Sequence, residues 1–281
     1  MWRGLLAEHP EDADVAVFGI AVDGNCSVGT GAAWAPEKIR ECSEYLPPVT
    51  VAGNVICNTL IDLGDVTEYD ALQVLEKMKT CNGKKFVFLL GGDHSVSILS
   101  QKAYRQLRAG KRGIIHIDAH ADICDYYNGS HYSHACVNKR ALENGYSTED
   151  ITMIGIRSYE VQEVDFLREN PVDIYSADEV KRVGAHTILE QLYQKYADYE
   201  GIYLSFDIDA VDPAQAPGTG TPEAFGLSSE TVRQLLEGIV ANLPVDMMDI
   251  VEVSPPLDCN NITTWLALKY ILEILHIVNN K

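Results

Sequence analysis

GIIHIDAHAD, residues Gly113–Asp122, is the stretch on which the reading of this chain turns. Its first half is a short, β-branched apolar run. Its second half sets His116, Asp118, His120 and Asp122 at alternate positions. A run of this length ending in acids and histidines reads as a buried strand that delivers polar side chains at its carboxyl end. Side chains two residues apart on extended backbone share a face, so Asp118 and His120, with Asp122 just beyond, can converge on one spot.

Three other apolar runs end in the same way. KKFVFLL leads into GGDHS and places Asp93 and His94 directly after a strand; IYLSFDIDAVDP brings Asp207 and Asp209 two apart; DIVEVSPP carries Glu252. The expected strands are Val15–Val22, Val55–Leu63, Lys85–Leu90, Gly113–Asp118, Ile151–Ile156, Val172–Tyr175, Ile202–Phe206 and Met247–Val253. Helical patterns separate several of them, at Ala71–Lys79, Val96–Leu107, His134–Glu143, Thr187–Tyr196 and Ser229–Ala241. A last amphipathic stretch, Ile262–Val278, should pack across the sheet and close the domain. Near-continuous apolar strands alternating with helices predict an α/β fold. The expectation is one domain over residues 1–281, a three-layer α/β/α arrangement around a mostly parallel eight-stranded sheet. No repeat or linker divides the chain. In such open sheets the ligand site lies beyond the carboxyl ends of the strands, where these motifs fall.

The chain has 41 acidic and 22 basic residues and a formal charge of −19. That balance argues against nucleic acid or an anionic membrane surface as partners. It favours approach of a cationic substrate, and it also serves solubility. No apolar run is long enough to cross a bilayer, and MWRGLLAEHPEDADV lacks the apolar core of a signal peptide, so a cytoplasmic location is expected. The seven cysteines are scattered, with no C-x-x-C pair. They form neither a disulfide framework nor a structural zinc site and read as small hydrophobes. Cys124 and Cys136 lie near the chemistry, but no motif pairs either with an orienting base.

Closely spaced carboxylates repel one another unless a cation lies between them. Asp118, Asp122, Asp207 and Asp209 carry four negative charges, which match two divalent ions, while His94 and His120 supply neutral nitrogens. A carboxylate and imidazole set without thiolate suits manganese better than a cysteine-bearing zinc site. Each motif alone also reads as a cap or turn; together, each at a strand end, they read as a metal centre.

The sequence resembles the ureohydrolase family of arginases and agmatinases over nearly its whole length. The resemblance rests on GGDHS (Gly91–Ser95), DAHAD (Asp118–Asp122), SFDIDAVDPAQAPGTGTPE (Ser205–Glu223), VEVSPPLD (Val251–Asp258) and GTGAAWAPEKIRECSEYL (Gly29–Leu46). It implies two manganese ions, one held by His94, Asp118, Asp122 and Asp207, the other by His120, Asp118, Asp207 and Asp209. Asp93, Asp212 and Ser205 would be supporting or turn residues that orient those ligands. The implied reaction is attack on a guanidinium carbon by a hydroxide shared between the ions. Asp122 would relay a proton, Glu252 would pair with the guanidinium, and His134, in HYSHACVNKR, would act as proton shuttle with His131 as its competitor. His134 is followed by Ala135, where the family usually has glycine. His116 reads as a core or supporting group, and His186 and His276 as structural.

Arginases of this family hold the substrate carboxylate partly with an asparagine two residues after the last Asp of the metal motif; here that residue is Cys124. Asn128 and Ser130 follow in the loop, but not at the arginase spacing. A site built for a carboxylate discriminates strongly through it, so its absence points to agmatine, cleaved to putrescine and urea for polyamine synthesis. Asp125 is a candidate partner for the distal ammonium, and Tyr126, Tyr127 and Tyr132 for the aliphatic chain. Guanidinobutyrate, guanidinopropionate and formiminoglutamate hydrolases share the metal signatures, and arginine would need another carboxylate partner, such as Arg157. A single-zinc amide hydrolase and a non-catalytic relative are the readings from other classes. The resemblance also implies a homo-oligomer, a trimer or hexamer, for which the last helix offers an apolar face.

Overall fold

The computed structural model describes residues 1–57 and 60–281. Eight strands form one sheet: β1 (Val15–Ile20), β2 (Leu60–Val66), β3 (Phe86–Leu90), β4 (Arg112–Ile117), β5 (Ile151–Ile156), β6 (Asp173–Ser176), β7 (Gly201–Asp207) and β8 (Val245–Val251). Every neighbouring pair runs parallel, in the spatial order β2-β1-β3-β8-β7-β4-β5-β6. The helices are α1 (Ala35–Ser43), α2 (Ala71–Thr80), α3 (Val96–Leu107), α4 (Val137–Glu143), α5 (Val161–Glu169), α6 (Ala177–Val183), α7 (Ala185–Lys195), α8 (Ser229–Asn242) and α9 (Ile262–Asn280).

Alternation along the strands builds two apolar layers. Val15, Val17, Phe88, Leu204 and Phe206 face one side and pack with Ile39 of α1, Leu192 of α7, Leu235 of α8 and Ile271 of α9. Ala16, Phe18, Leu89 and Tyr203 face the other and pack with Val74 of α2, Leu99 of α3 and Ala141 of α4. Because both faces are covered, β1, β3, β5 and β7 are buried at every position, and the sequence shows them as apolar runs rather than as alternation.

The expected elements appear with ends shifted by a few residues, and Ile151–Ile156 and Val96–Leu107 coincide with β5 and α3. The expected strand Val55–Leu63 includes residues 58 and 59, which lie outside the described residues; the observed β2 starts at Leu60. The stretch His134–Glu143 divides into a 3-10 turn, His134–Cys136, and α4. α5 and α6 were not among the expected helices. The apolar residues of α5 mark no single face: Val161 and Val164 are exposed, Phe166 and Leu167 pack against the core, and Glu163 is its buried residue. α9 packs between α1 and α8 and closes the domain, while Ile262, Trp265, Leu266 and Ile277 stay partly exposed on its outer side.

The chain reaches the centre of the sheet last. It builds β1 to β3 on one side and β4 to β6 on the other, and β7 and β8 then fill the gap between β3 and β4. The four central strands, β3, β8, β7 and β4, are those whose carboxyl ends carry GGDHS, Glu252, the Asp207–Asp209 pair and Asp118–Asp122. The crevice at this reversal of strand order is where open α/β sheets bind ligands.

Candidate metal centre and active-site cleft

His94 is placed by a turn that only glycines allow. A Cβ on Gly92 would lie 1.7 Å from the Val22 carbonyl oxygen. Asp93 then turns away from the centre: its carboxylate accepts from Asn25 N at 2.8 Å and Ser95 N at 3.0 Å, pinning the 23–31 loop to the end of β3. His94 points inward, and its Nδ1 lies 3.0 Å from Asp118 Oδ2, 3.0 Å from Asp122 Oδ2 and 3.2 Å from Asp207 Oδ2. An octahedral divalent ion with bonds of about 2.1 Å separates adjacent ligand atoms by about 3 Å, the spacing of these atoms around Nδ1.

Beside it, His120 Nδ1 lies 3.0 Å from Asp209 Oδ2 and 3.5 Å from Asp118 Oδ1. Three carboxylates are held in a common way. Asp118 Oδ1 accepts from His120 N, Asp209 Oδ1 from Ala119 N and Asp207 Oδ1 from Asp209 N, at 2.6, 3.1 and 2.8 Å. Each Oδ2 is left to face the histidines. His94 Nδ1, Asp118 Oδ2 and Asp209 Oδ2 are buried without a hydrogen-bond partner. Buried orphans of this kind are costly, and cations beside His94 and beside His120 would satisfy them.

Two groups have ligand atoms close enough for one ion: His94, His116, Asp118 and Asp122, and Asp118, His120 and Asp209. His116 stacks on His94 at 5.0 Å, but its Nε2 sits 3.2 Å from the His120 carbonyl oxygen. A carbonyl only accepts, so that nitrogen carries a proton and has no lone pair for a metal. Asp207 Oδ2, at 3.2 Å from His94 Nδ1, stands beside this set.

The electrostatics have the same sense. Burial alone would lower the His94 pKa, but Asp118, Asp122 and Asp207 outweigh it and raise it well above the ordinary value. Burial likewise opposes protonation of His120, and Asp209 and Asp118 overcome it. Burial, then repulsion from Asp209 and Asp118, pushes Asp207 up. The cluster is short of positive charge, and protons are drawn in where a metal would otherwise supply it.

Asp122 and Glu252 sit at φ of 49° and 61°, in the left-handed region that non-glycine residues rarely occupy. Such backbone persists where packing over-determines it, commonly at functional sites. Glu252 is buried and accepts from His94 N at 2.7 Å; burial, then Asp93, raises its pKa well above the usual range.

Above the centre opens a cleft of about 330 Å³ whose lining includes Asp122, Tyr127, His134, Glu160, Glu163 and Glu223. His134 Nδ1 donates to the Asn25 carbonyl at 2.8 Å, leaving Nε2, 3.4 Å from Ser27 Oγ, toward the cleft. His131 is half exposed, bonded to the Asp125 carbonyl, and takes no part in the lining. No lysine or arginine lines the cleft among the described residues.

Several sequence expectations change here. Asp125 lies outside the cleft, where it pairs with Arg140 at 2.5 Å and with His131. Arg157 is spent on backbone: its guanidinium donates to the carbonyls of Gly155, Asp209, Ala210, Glu223 and Ala224, so it is not available to a carboxylate. Asn128 and Gly129 have φ of 46° and 85° and form a tight hairpin turn between Tyr127 and Ser130. Of the three loop tyrosines, Tyr127 lines the cleft; Tyr126 and Tyr132 are exposed. Cys124 is buried beside Cys136, and burial, then Glu163, holds its thiol protonated. Asp212 is a turn residue, accepting from Ala214 N and Gly226 N, as expected.

Three acids escaped the sequence reading. Glu160 and Glu163 fall at the start of α5, which shows no periodic pattern; Glu163 accepts from Ile123 N and Glu160 N, and burial raises it to about 7. Asp249 lies inside β8, fully buried. An acid in the middle of an apolar strand was the available signal.

Comparison with known proteins agrees with this geometry. The Arginase family model matches residues 13–276. The chain is 31% identical to a guanidinobutyrase from Pseudomonas aeruginosa, covering 93% of this chain and 85% of that protein. It is 32% identical to an agmatinase from Bacillus anthracis, covering 96% and 94%. It superposes on the agmatine ureohydrolase of Thermoplasma volcanium with a TM-score of 0.86 at 31% identity, covering 99% and 94%. With its sheet order, its acid–histidine centre and these likenesses, the chain belongs to the arginase family of ureohydrolases.

Proposed function

We propose that this protein is a two-manganese agmatinase that hydrolyses agmatine to putrescine and urea and so feeds polyamine synthesis in the cytoplasm. The observation that carries the substrate is the cleft wall: Asp122, Glu160, Glu163 and Glu223 with no lysine or arginine. A substrate cationic at both ends is drawn into such a cleft, whereas one ending in a carboxylate meets repulsion and no donor.

His94, Asp118, Asp122 and Asp207 would hold one ion, and His120, Asp118, Asp207 and Asp209 the other. When bound, the ions make water acidic enough to act as a nucleophile near neutral pH. The chain's own residues do the rest. Glu252 orients the guanidinium by a charge-assisted pair, and the acids of α5 and Glu223 receive the distal ammonium. Asp122 accepts the proton of the attacking water. His134, with Nε2 free to accept and donate, exchanges protons between the leaving amine and solvent at the cleft mouth.

The test is urea release after manganese loading, run on agmatine, guanidinobutyrate, guanidinopropionate and arginine, with formamide release from formiminoglutamate in parallel. Fast turnover of agmatine alone supports the reading. The guanidinobutyrase relative makes guanidinobutyrate the second reading, and preferential turnover of it would replace agmatine while leaving the metal centre intact.

A further inference from the structure

Asp249 is 0% exposed, and its described partners are all neutral. Ser97 Oγ and Tyr203 OH donate to its Oδ2 at 2.6 Å each, Ser205 Oγ to its Oδ1 at 2.9 Å and Phe206 N to its Oδ1 at 3.0 Å. Four neutral donors and no cation hold this buried carboxyl inside an otherwise apolar strand, where a polar group is costly unless its hydrogen bonds are fully made. One of those partners leads to the metal centre: Ser205 Oγ is also 2.9 Å from His94 Nε2.

The direction of these bonds is forced. Ser205 Oγ donates to Asp249 Oδ1, which uses its one hydrogen, so Ser205 Oγ accepts from His94 Nε2. Nε2 therefore carries the hydrogen, and Nδ1 is the nitrogen whose lone pair faces Asp118, Asp122 and Asp207. Among the described residues His120 has no such support: its Nε2 lies 3.7 Å from Glu223, which is 39% exposed.

Resting on the metal-centre reading above, we propose that Asp249 is a positioning residue that acts through Ser205 to fix the tautomer and orientation of His94, and thereby sets the affinity of one of the two ions. It does not touch substrate.

The test uses the full-length protein, freed of metal by a chelator and titrated with manganese(II) alone, with bound and free ion followed by EPR. Ser205→Ala and Asp249→Asn are expected to weaken one site by about 10–100-fold and leave the other unchanged. Ser205→Thr, which keeps the hydroxyl, should restore most of the loss, a rescue that general destabilisation would not show. Wild-type affinity at both sites in Ser205→Ala and Asp249→Asn would overturn the inference, and so would equal weakening of both sites, the signature of a merely structural role. A wild-type protein that binds fewer than two ions would refute the two-ion reading itself and this inference with it, a failure visible before any variant is made.

Discussion

Replacing the distal ammonium of agmatine by the carboxylate of guanidinobutyrate changes one end of the substrate and little else. Asp122 faces His94 at 3.0 Å and in the proposed reading serves the metal ions, and Glu163, raised to about 7, is only partly charged at neutral pH. Glu160 and Glu223 therefore carry most of the field in the cleft. At about 6 Å and an effective dielectric of about 40, each attracts an ammonium, or repels a carboxylate, by about 1.4 kcal/mol. The two acids thus separate the substrates by about 5 kcal/mol, which screening at physiological salt reduces to about 3. That is roughly a 100-fold preference in kcat/KM for agmatine. Steady-state urea release at several sodium chloride concentrations measures it, and the preference should shrink as salt rises. Glu223→Gln should remove part of it, chiefly by raising KM for agmatine. Equal kcat/KM for both substrates, or a preference indifferent to salt and to Glu223→Gln, would show that these acids do not face the distal end of the substrate.

Other outcomes follow from the site. Chelation should lower the melting temperature, because ions present at about 100 times their Kd stabilise by about 2.7 kcal/mol each; calorimetry with and without manganese checks this, and an unchanged melting point argues against a bound metal. Glu163 has a raised pKa in the folded state, so the metal-free protein should lose stability relative to Glu163→Gln as pH rises from about 4.5 to about 7, by roughly 2–3 kcal/mol, read from denaturant midpoints across that window. Asp125→Ala should leave kcat/KM for agmatine within about twofold, since Asp125 pairs with Arg140 outside the cleft; a large loss would return it to the substrate. His134→Asn should lower kcat and remove its dependence on small buffer bases, whereas His131→Asn should change neither.

The sequence by itself determined the local facts. Apolar runs of strand length located the strands of the sheet to within a few residues, because burial on both faces leaves a continuous signal. Spacing of two put Asp118 beside His120 and Asp207 beside Asp209, because the period of extended backbone fixes which side chains share a face. The resemblance to ureohydrolases was carried by these same short motifs. Only the tertiary structure decided which strand ends meet. β3 and β8 are far apart in the chain yet pair Val87 with Met247, and that pairing sets Glu252 against His94. The tertiary structure also brought Asp249 beside Ser205, sent Arg157 to backbone carbonyls and tied Asp125 to Arg140. Local spacing encodes the direction of a side chain, but its partner depends on strand order, which no short window of sequence contains. The acids of α5 make the same point: with its apolar residues split between solvent and core, nothing marked the helix, and Glu160 and Glu163 became cleft residues only once β5 lay beside β4.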